Sequence, residues 1–188
     1  MYKYTKLLNY PVNIKNKDLK IAKLIITQLG GYAGELGAAL RYFSQKFTMP
    51  DEEGRALLND IATEELGHVE MISTIIHQLV KDASLKEMED ANLAPYYVEH
   101  GKGIYPISAS DIPFDALTFA VTGDPIVDLQ EDLAAEEKAR ITYEHLIDYA
   151  KTDDIKAPLL FLRQREVVHY NRFKELLDKY KNKYWKIN

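Results

Sequence analysis

Four glutamates and two histidines occupy positions where the helical pattern of this chain calls for apolar residues. Glu65 and His68 stand three apart, so they share one helix face and can point at a common ion. Glu166 and His169 repeat the spacing. Glu35 precedes Glu65 by 30 residues and Glu136 precedes Glu166 by 30, so every corresponding pair is offset by 101. One motif is therefore written twice: a lone Glu on one helix, then Glu-x-x-His on the next. An ionised carboxylate in a dry core is costly unless it is paired or bound to metal, and four together repel one another. Two divalent cations would neutralise them. With no cysteine in the chain, the donors are carboxylate and imidazole, a set that suits manganese or iron and also accepts zinc. Each histidine would bind through one ring nitrogen, its other nitrogen anchored by an outer acceptor. A two-metal carboxylate site can exchange two electrons with dioxygen or peroxide without releasing a radical.

The elements that must position these residues follow from the apolar stripes. Steps of three and four run through Ile21, Ile25, Gln28, Tyr32, Glu35, Ala39 and Tyr42; through Leu58, Ile61, Glu65, His68, Ile72 and Ile75; through Ile126, Leu129, Leu133, Glu136, Tyr143 and Ile147; and through Leu159, Leu162, Glu166, His169, Phe173 and Leu176. These predict four helices near 18–46, 50–81, 124–151 and 154–181. Thr48 before Pro50, with Asp51, Glu52 and Glu53, marks the second helix start. Asp124-Pro125 reads as a cap followed by proline at the first helical position. Gly30, Gly31, Gly34 and Gly37 fall inside the first stripe. The preferred reading keeps that helix continuous and uses the glycines for close approach of another backbone; the other reading breaks it at 30–31. Residues 82–123 hold three prolines and three glycines. Apart from a helical turn or two over Ser84–Leu93 they read as loop. Two helical hairpins joined by one long crossover between the second and third helices make an all-α, ferritin-like four-helix bundle. The expected organisation is one domain over 1–188, with an N-terminal arm at 1–17 and the crossover at 82–123.

Composition narrows the rest. The chain has 188 residues, a net charge of −5 and 46% hydrophobic residues, enough for a core without disulfides. Mild acidity argues against nucleic acid as a partner. No stretch approaches the roughly 18 apolar residues of a membrane span, and the N-terminus has no apolar core of signal-peptide length. A soluble protein made in the cytoplasm is expected. His77, His100 and His145 lack a carboxylate at the matching spacing and read as surface or structural residues. Glu64 reads as an outer or solvent-facing residue, and Glu70 as pointing away from the ligands. The C-terminal lysines 179, 181, 183 and 186, with Tyr180, Tyr184 and Trp185, read as a solvated helix end or subunit contact. The tyrosines of the first ten residues suggest a docking arm, or a plain arm packed on a neighbour.

The order Glu, Glu-x-x-His, Glu, Glu-x-x-His resembles the ferritin-like dimetal proteins. The strings Ile61-Ala62-Thr63-Glu64-Glu65-Leu66-Gly67-His68-Val69-Glu70-Met71-Ile72, Thr122-Gly123-Asp124-Pro125 with Leu133-Ala134-Ala135-Glu136, and Arg165-Glu166-Val167-Val168-His169 are similar to the manganese (non-haem) catalases, in particular their short spore-coat-associated members of the spore coat protein JC type. The resemblance covers essentially the whole chain. It implies that Glu65 bridges two manganese ions, that Glu35 with His68 completes one site and Glu136 with His169 the other, that Glu166 is an outer glutamate handling protons, and that Tyr42 hydrogen-bonds beside the cluster. Some members carry an arginine where this chain has Ala135, and larger members have a C-terminal tail that is lacking here.

The implied activity is disproportionation of hydrogen peroxide. One peroxide is reduced to water as the pair goes from Mn(II)/Mn(II) to Mn(III)/Mn(III), and a second is oxidised to dioxygen as the pair returns. The implied partners are copies of the chain, as a homo-oligomer such as a hexamer, and other spore coat proteins. Two alternatives remain open from the residues alone. One is a diiron peroxidase or oxidase on the same ligands. The other is a non-enzymatic coat component that keeps a metal site.

Overall fold

A computed structural model describes residues 7–184. Tyr2 and Tyr4 of the N-terminal arm, and Trp185 and Lys186 of the C-terminal run, lie outside the described residues. Among the described residues the α-helices are α1 (Leu19–Ile25), α2 (Thr27–Gly30), α3 (Glu35–Gln45), α4 (Glu52–Val80), α5 (Leu85–Asp90), α6 (Ala94–His100), α7 (Pro125–Tyr149) and α8 (Asp153–Tyr184), with short 3-10 turns at Lys46–Thr48 and Ala116–Thr118. Among the described residues there is no strand, only an isolated bridge between Ile107 and Pro113. The chain up to α3 packs along α4, and α7 packs along α8; the two hairpins meet through α4 with α8 and α3 with α7. This is the expected four-helix bundle with one long crossover.

The first helix is not continuous, which corrects the preferred reading. Gly31 and Gly34 adopt extended backbone (ψ 165° at both) and jog the chain between α2 and α3. Tyr32, assigned to the buried stripe, is 66% exposed as a result. A side chain at Gly31 or Gly34 would strike the carbonyl oxygens of Thr27 or Gln28. The expected close approach is nonetheless present at Gly30, where a Cβ would lie 2.2 Å from the Ile107 nitrogen of the crossover. The jog also makes Glu35 the first residue of α3, at the positive end of its dipole.

Other boundaries follow local chemistry. Asp51, among the residues expected to mark the start of α4, caps it by accepting from Gly54 N. Asp124 caps α7 as expected, accepting from Ile126 N and Val127 N ahead of Pro125. Within the crossover, Ser84 and Glu87 form a capping box that starts α5. Beyond it lies α6, over a stretch that the sequence predicts to be loop. Its Pro95 is at the helix start, where the missing N–H costs nothing.

The described part of the arm lies along its own bundle. Ile14 N donates to Gln78 Oε1 at 2.7 Å, Gln78 Nε2 donates to the Val12 carbonyl, and Lys15 N donates to Asp154. Tyr10 stacks on Phe161 with ring centroids 5.1 Å apart. At the other end, Lys179 pairs with Glu53 and Tyr180 donates to Asp51, so that part of the basic C-terminal run closes the bundle against the acidic start of α4.

The core is split. One apolar cluster gathers Ile25, Ile72, Ile75, Leu79, Leu159 and Leu162. A second gathers Leu58, Ile61, Leu129, Phe173 and Leu176 around Tyr42. Between them lies a polar layer.

Candidate metal centre

That layer is made of Glu35 from α3, Glu65 and His68 from α4, Glu136 from α7, and Glu166 and His169 from α8. Each is at most 2% exposed. The structure thus brings together all six residues singled out by spacing, while His77, His100 and His145 lie elsewhere: His77 and His145 are exposed, and His100 stacks on Tyr105.

The geometry is built around Glu65. Its Oε2 lies 2.7 Å from His68 Nδ1 and its Oε1 lies 2.8 Å from His169 Nδ1. Glu35 Oε2 is 3.5 Å from His68 Nδ1, and Glu136 Oε2 is 3.5 Å from His169 Nδ1. Glu166 Oε1 is 4.0 Å from His68 Nδ1. Two donor sets emerge, one of Glu35, Glu65, His68 and Glu166, the other of Glu65, Glu136, Glu166 and His169. In each, the donor atoms lie within 4.8 Å of one another. The two sets share Glu65 and Glu166. The two imidazoles stack with centroids 5.6 Å apart.

Both imidazoles turn the same way. Nδ1 faces the carboxylates, and Nε2 faces Glu64, at 3.6 Å for His68 and 3.2 Å for His169. Glu64 is in turn held by Arg165, whose Nε donates to its Oε1 at 2.5 Å. Glu64 thus stands beside the outer nitrogens of both rings, neither of which makes a hydrogen bond among the described residues, and Arg165 fixes it. The 101-residue offset relates positions 64 and 165 as well, a signal available in the sequence but not used.

The same offset relates Tyr42 to Tyr143. Tyr42 donates its hydroxyl to Glu136 Oε1, and Tyr143 donates to Glu35 Oε1. Each half of the chain thus supplies the phenol that holds the other half's lone glutamate. Both tyrosines are fully buried.

Charge and burial set the protonation. Burial, reinforced by Glu65, raises the Glu35 carboxyl to about 8. Burial and the neighbouring Glu35 and Glu136 push Glu166 well above the ordinary carboxylate range. Burial opposes ionisation of Glu65 too, but the two histidines outweigh it and hold Glu65 low. The histidines are correspondingly raised; burial works against their charge, and Glu65 overcomes it.

Several atoms in this layer find no hydrogen-bond partner among the described residues, including Glu65 Oε1, Glu136 Oε2, Glu166 Oε1 and His169 Nδ1. Buried polar atoms are rarely left so. Acceptors on four carboxylates with two imidazole nitrogens turned towards them form a donor set that fits two divalent cations.

A narrow cleft between α3 and α7 reaches the layer, with Glu35, Glu136 and Glu166 among its lining residues and small walls at Gly34, Ala38, Ala135 and Ala139. It has room for little more than one water-sized molecule, about 10 Å³.

Comparison with known proteins places these features in context. The family model for manganese containing catalase matches residues 1–187. Protein CotJC of Bacillus subtilis is 46% identical over 178 residues, covering 95% of this chain and 94% of its own length. A manganese catalase of Bacillus subtilis is 33% identical over 186 residues, covering 92% of this chain and 68% of its own. The crystal structure of KatB, a manganese catalase from Anabaena PCC7120, superposes with a TM-score of 0.86 at 32% identity, covering 95% of this chain and 80% of KatB.

Proposed function

This chain belongs to the manganese containing catalase family, and from that premise we propose that it disproportionates hydrogen peroxide to water and dioxygen at the buried Glu/His layer. The observation that carries the reading is the pair of overlapping donor sets that share Glu65 and Glu166. When bound there, two manganese ions would supply a two-electron couple that takes electrons from one peroxide and returns them to the next.

The residues have separate tasks. Glu65 directs one oxygen towards each histidine, the arrangement of a carboxylate that bridges two ions. Glu35 with His68 would hold one ion, and Glu136 with His169 the other. Tyr42 holds Glu136 in place through its hydroxyl. Glu166, which burial and its acidic neighbours raise well above the ordinary carboxylate range, favours its protonated form and would pass a proton to peroxide reduced beside it and recover one from the next peroxide. The narrow cleft limits what reaches the layer to the smallest molecules.

The association with the spore coat that the sequence resemblance implies is supported by the 46% identity to CotJC. Self-association of the chain, as a hexamer or another homo-oligomer, is what the family resemblance implies. Among the described residues no helix is long and apolar enough to cross a membrane.

The test is oxygen evolution from hydrogen peroxide by purified protein of assayed manganese and iron content. About half a mole of oxygen per mole of peroxide, scaling with manganese near two ions per chain, is the expected stoichiometry. Peroxide loss without oxygen, scaling with iron, would move the chain to peroxidase chemistry on the same ligands. Metal-loaded protein that does neither would leave a structural coat component. Glu65→Ala or His68→Ala is expected to abolish metal binding.

A further inference from the structure

Arg41, Gln45 and Asp132 break the repeat from which the ligand layer is built. All three are at most 2% exposed. Arg41 precedes Tyr42 on α3, Gln45 lies one turn further along that helix, and Asp132 lies one turn before Glu136 on α7. The hydrogen bond from Tyr42 to Glu136 joins the two helices at this level, so the group sits beside the half-site of Glu136 and His169. The offset of 101 residues takes Arg41 to Thr142, Gln45 to Leu146 and Asp132 to Gly31. Thr142 donates to the Lys138 carbonyl of its own helix, and the other two carry no polar side chain. The half-site of Glu35 and His68 therefore has no such group beside it.

Arg41 Nε and Nη1 and both Asp132 oxygens make no hydrogen bond among the described residues. A guanidinium keeps its proton wherever it is placed, and a buried charge is costly unless an opposite charge stands near. Burial raises the Asp132 carboxyl, while Gln45 and Arg41 pull it the other way. A protonated Asp132 would leave the guanidinium bare in the core, the costlier arrangement. Both charges also reach Tyr42: burial and Glu136 raise its phenol, Asp132 adds to them and Arg41 opposes them. On Tyr143, at the matching position, the chief influences are burial, Glu35 and Glu166. The carboxylates that line the cleft with Arg41 are Glu35, Glu136 and Glu166, all of the ligand layer. Of these, Glu136 is the one joined to the residue next to Arg41.

We propose that Asp132 is the counter-charge of Arg41, and that it acts as a positioning residue by keeping the guanidinium from competing with a metal ion for Glu136. Only one of the two ions is guarded in this way. The inference rests on the reading of the layer as a two-ion site and not on its peroxide chemistry.

The experiment is equilibrium dialysis of the full chain against manganese, resolving two binding steps, for wild type, Asp132→Asn, Arg41→Gln and the double variant. Glu136→Gln identifies the step in question as the one it removes. Asp132→Asn is expected to weaken that step by about tenfold or more, the scale of a lost outer partner, and the other step much less. Arg41→Gln should not weaken it, and the double variant should return it to the wild-type value. A merely structural contact would give loss in both single variants and no rescue in the double. Equal weakening of the two steps by Asp132→Asn, no weakening, or a double variant as weak as Asp132→Asn would overturn the proposal. If Asp132→Asn fails to fold, the other two decide: weakening of the Glu136 step in either would overturn it, and wild-type values in both would uphold it. Wild type that binds two ions in this pattern yet evolves no oxygen would remove the catalase reading and leave the pair. Wild type that binds no manganese would overturn both.

Discussion

Tyr143 on α7 donates its hydroxyl to Glu35 at the start of α3, across the seam between the two helical hairpins. It stands 101 residues after Tyr42, which reaches the opposite way to Glu136. The lone glutamate of each half is therefore oriented by the other half. Loss of such an outer hydrogen bond typically costs 10–100-fold in metal affinity. Tyr143→Phe is expected to weaken manganese binding about tenfold at the ion held by Glu35, and Tyr42→Phe to do the same at the ion held by Glu136. Equilibrium dialysis against manganese, resolving two binding steps, checks this. Equal weakening of both steps by either variant would show that the tyrosines do not act one per ion.

Glu64 faces both imidazoles, so its removal should act on both ions at once. Glu64→Ala is expected to lower affinity for both by about 10–100-fold. Arg165→Ala, which only frees Glu64, should have a smaller effect in the same direction. Manganese content after gel filtration, compared across the three proteins, gives the answer. An intact content in Glu64→Ala would remove Glu64 from the orienting role.

The buried layer also predicts how the metal-free protein responds to pH. Glu35 moves from 4.5 to about 8 on folding. Between those values the folded state holds a proton that the unfolded state has lost, so stability falls as pH rises through the window. The histidines, raised above 6.5, act in the same direction as pH climbs above that value. Glu65, held low, adds a constant gain above its unfolded value. The Tm of metal-free protein should therefore drop as pH rises from about 4.5 to about 8, most steeply above 6.5 where the histidines add to Glu35. Manganese binds the deprotonated ligands, so its affinity should rise over the same range. Calorimetry with and without manganese tests both signs; a flat Tm for the metal-free protein would contradict the first.

The crossover is pinned where it passes Gly30. A methyl group there would lie 2.2 Å from the Ile107 nitrogen and 2.3 Å from the Pro106 carbonyl carbon. Both are backbone atoms, so neither can swing aside. Gly30→Ala is expected to cost about 2 kcal/mol, read as a lower urea midpoint. An unchanged midpoint would mean that the crossover shifts freely on α2.

The ligand layer was legible because repetition exposes it: Glu35, Glu65 and His68 recur at a fixed offset as Glu136, Glu166 and His169, each in an apolar stripe. Tyr143 was legible by the same offset but was counted only as part of a stripe, since its aromatic ring fits a core position as well as its hydroxyl fits Glu35. The jog at 31–34 was hidden because the glycines there serve both readings. Gly30 provides the close approach, while Gly31 and Gly34 take extended backbone, and the stripe through Tyr32 gave no hint of the difference. The prolines of 82–123 suggest loop, yet Pro95 begins α6, because a proline alone does not say on which side of it a helix lies. Glu64 looks like any polar residue beside a ligand until the two rings are seen to turn towards it.

The crossed tyrosines carry one more consequence. A peptide of half this length, with one Glu, one Tyr and one Glu-x-x-His, could complete the same ring of contacts only by pairing with a copy of itself about a two-fold axis. The chain therefore has the design of a fused homodimer. Fusion also releases the halves from identity. Positions 64 and 165 face each other as Glu and Arg, where two identical copies would have set like charge against like.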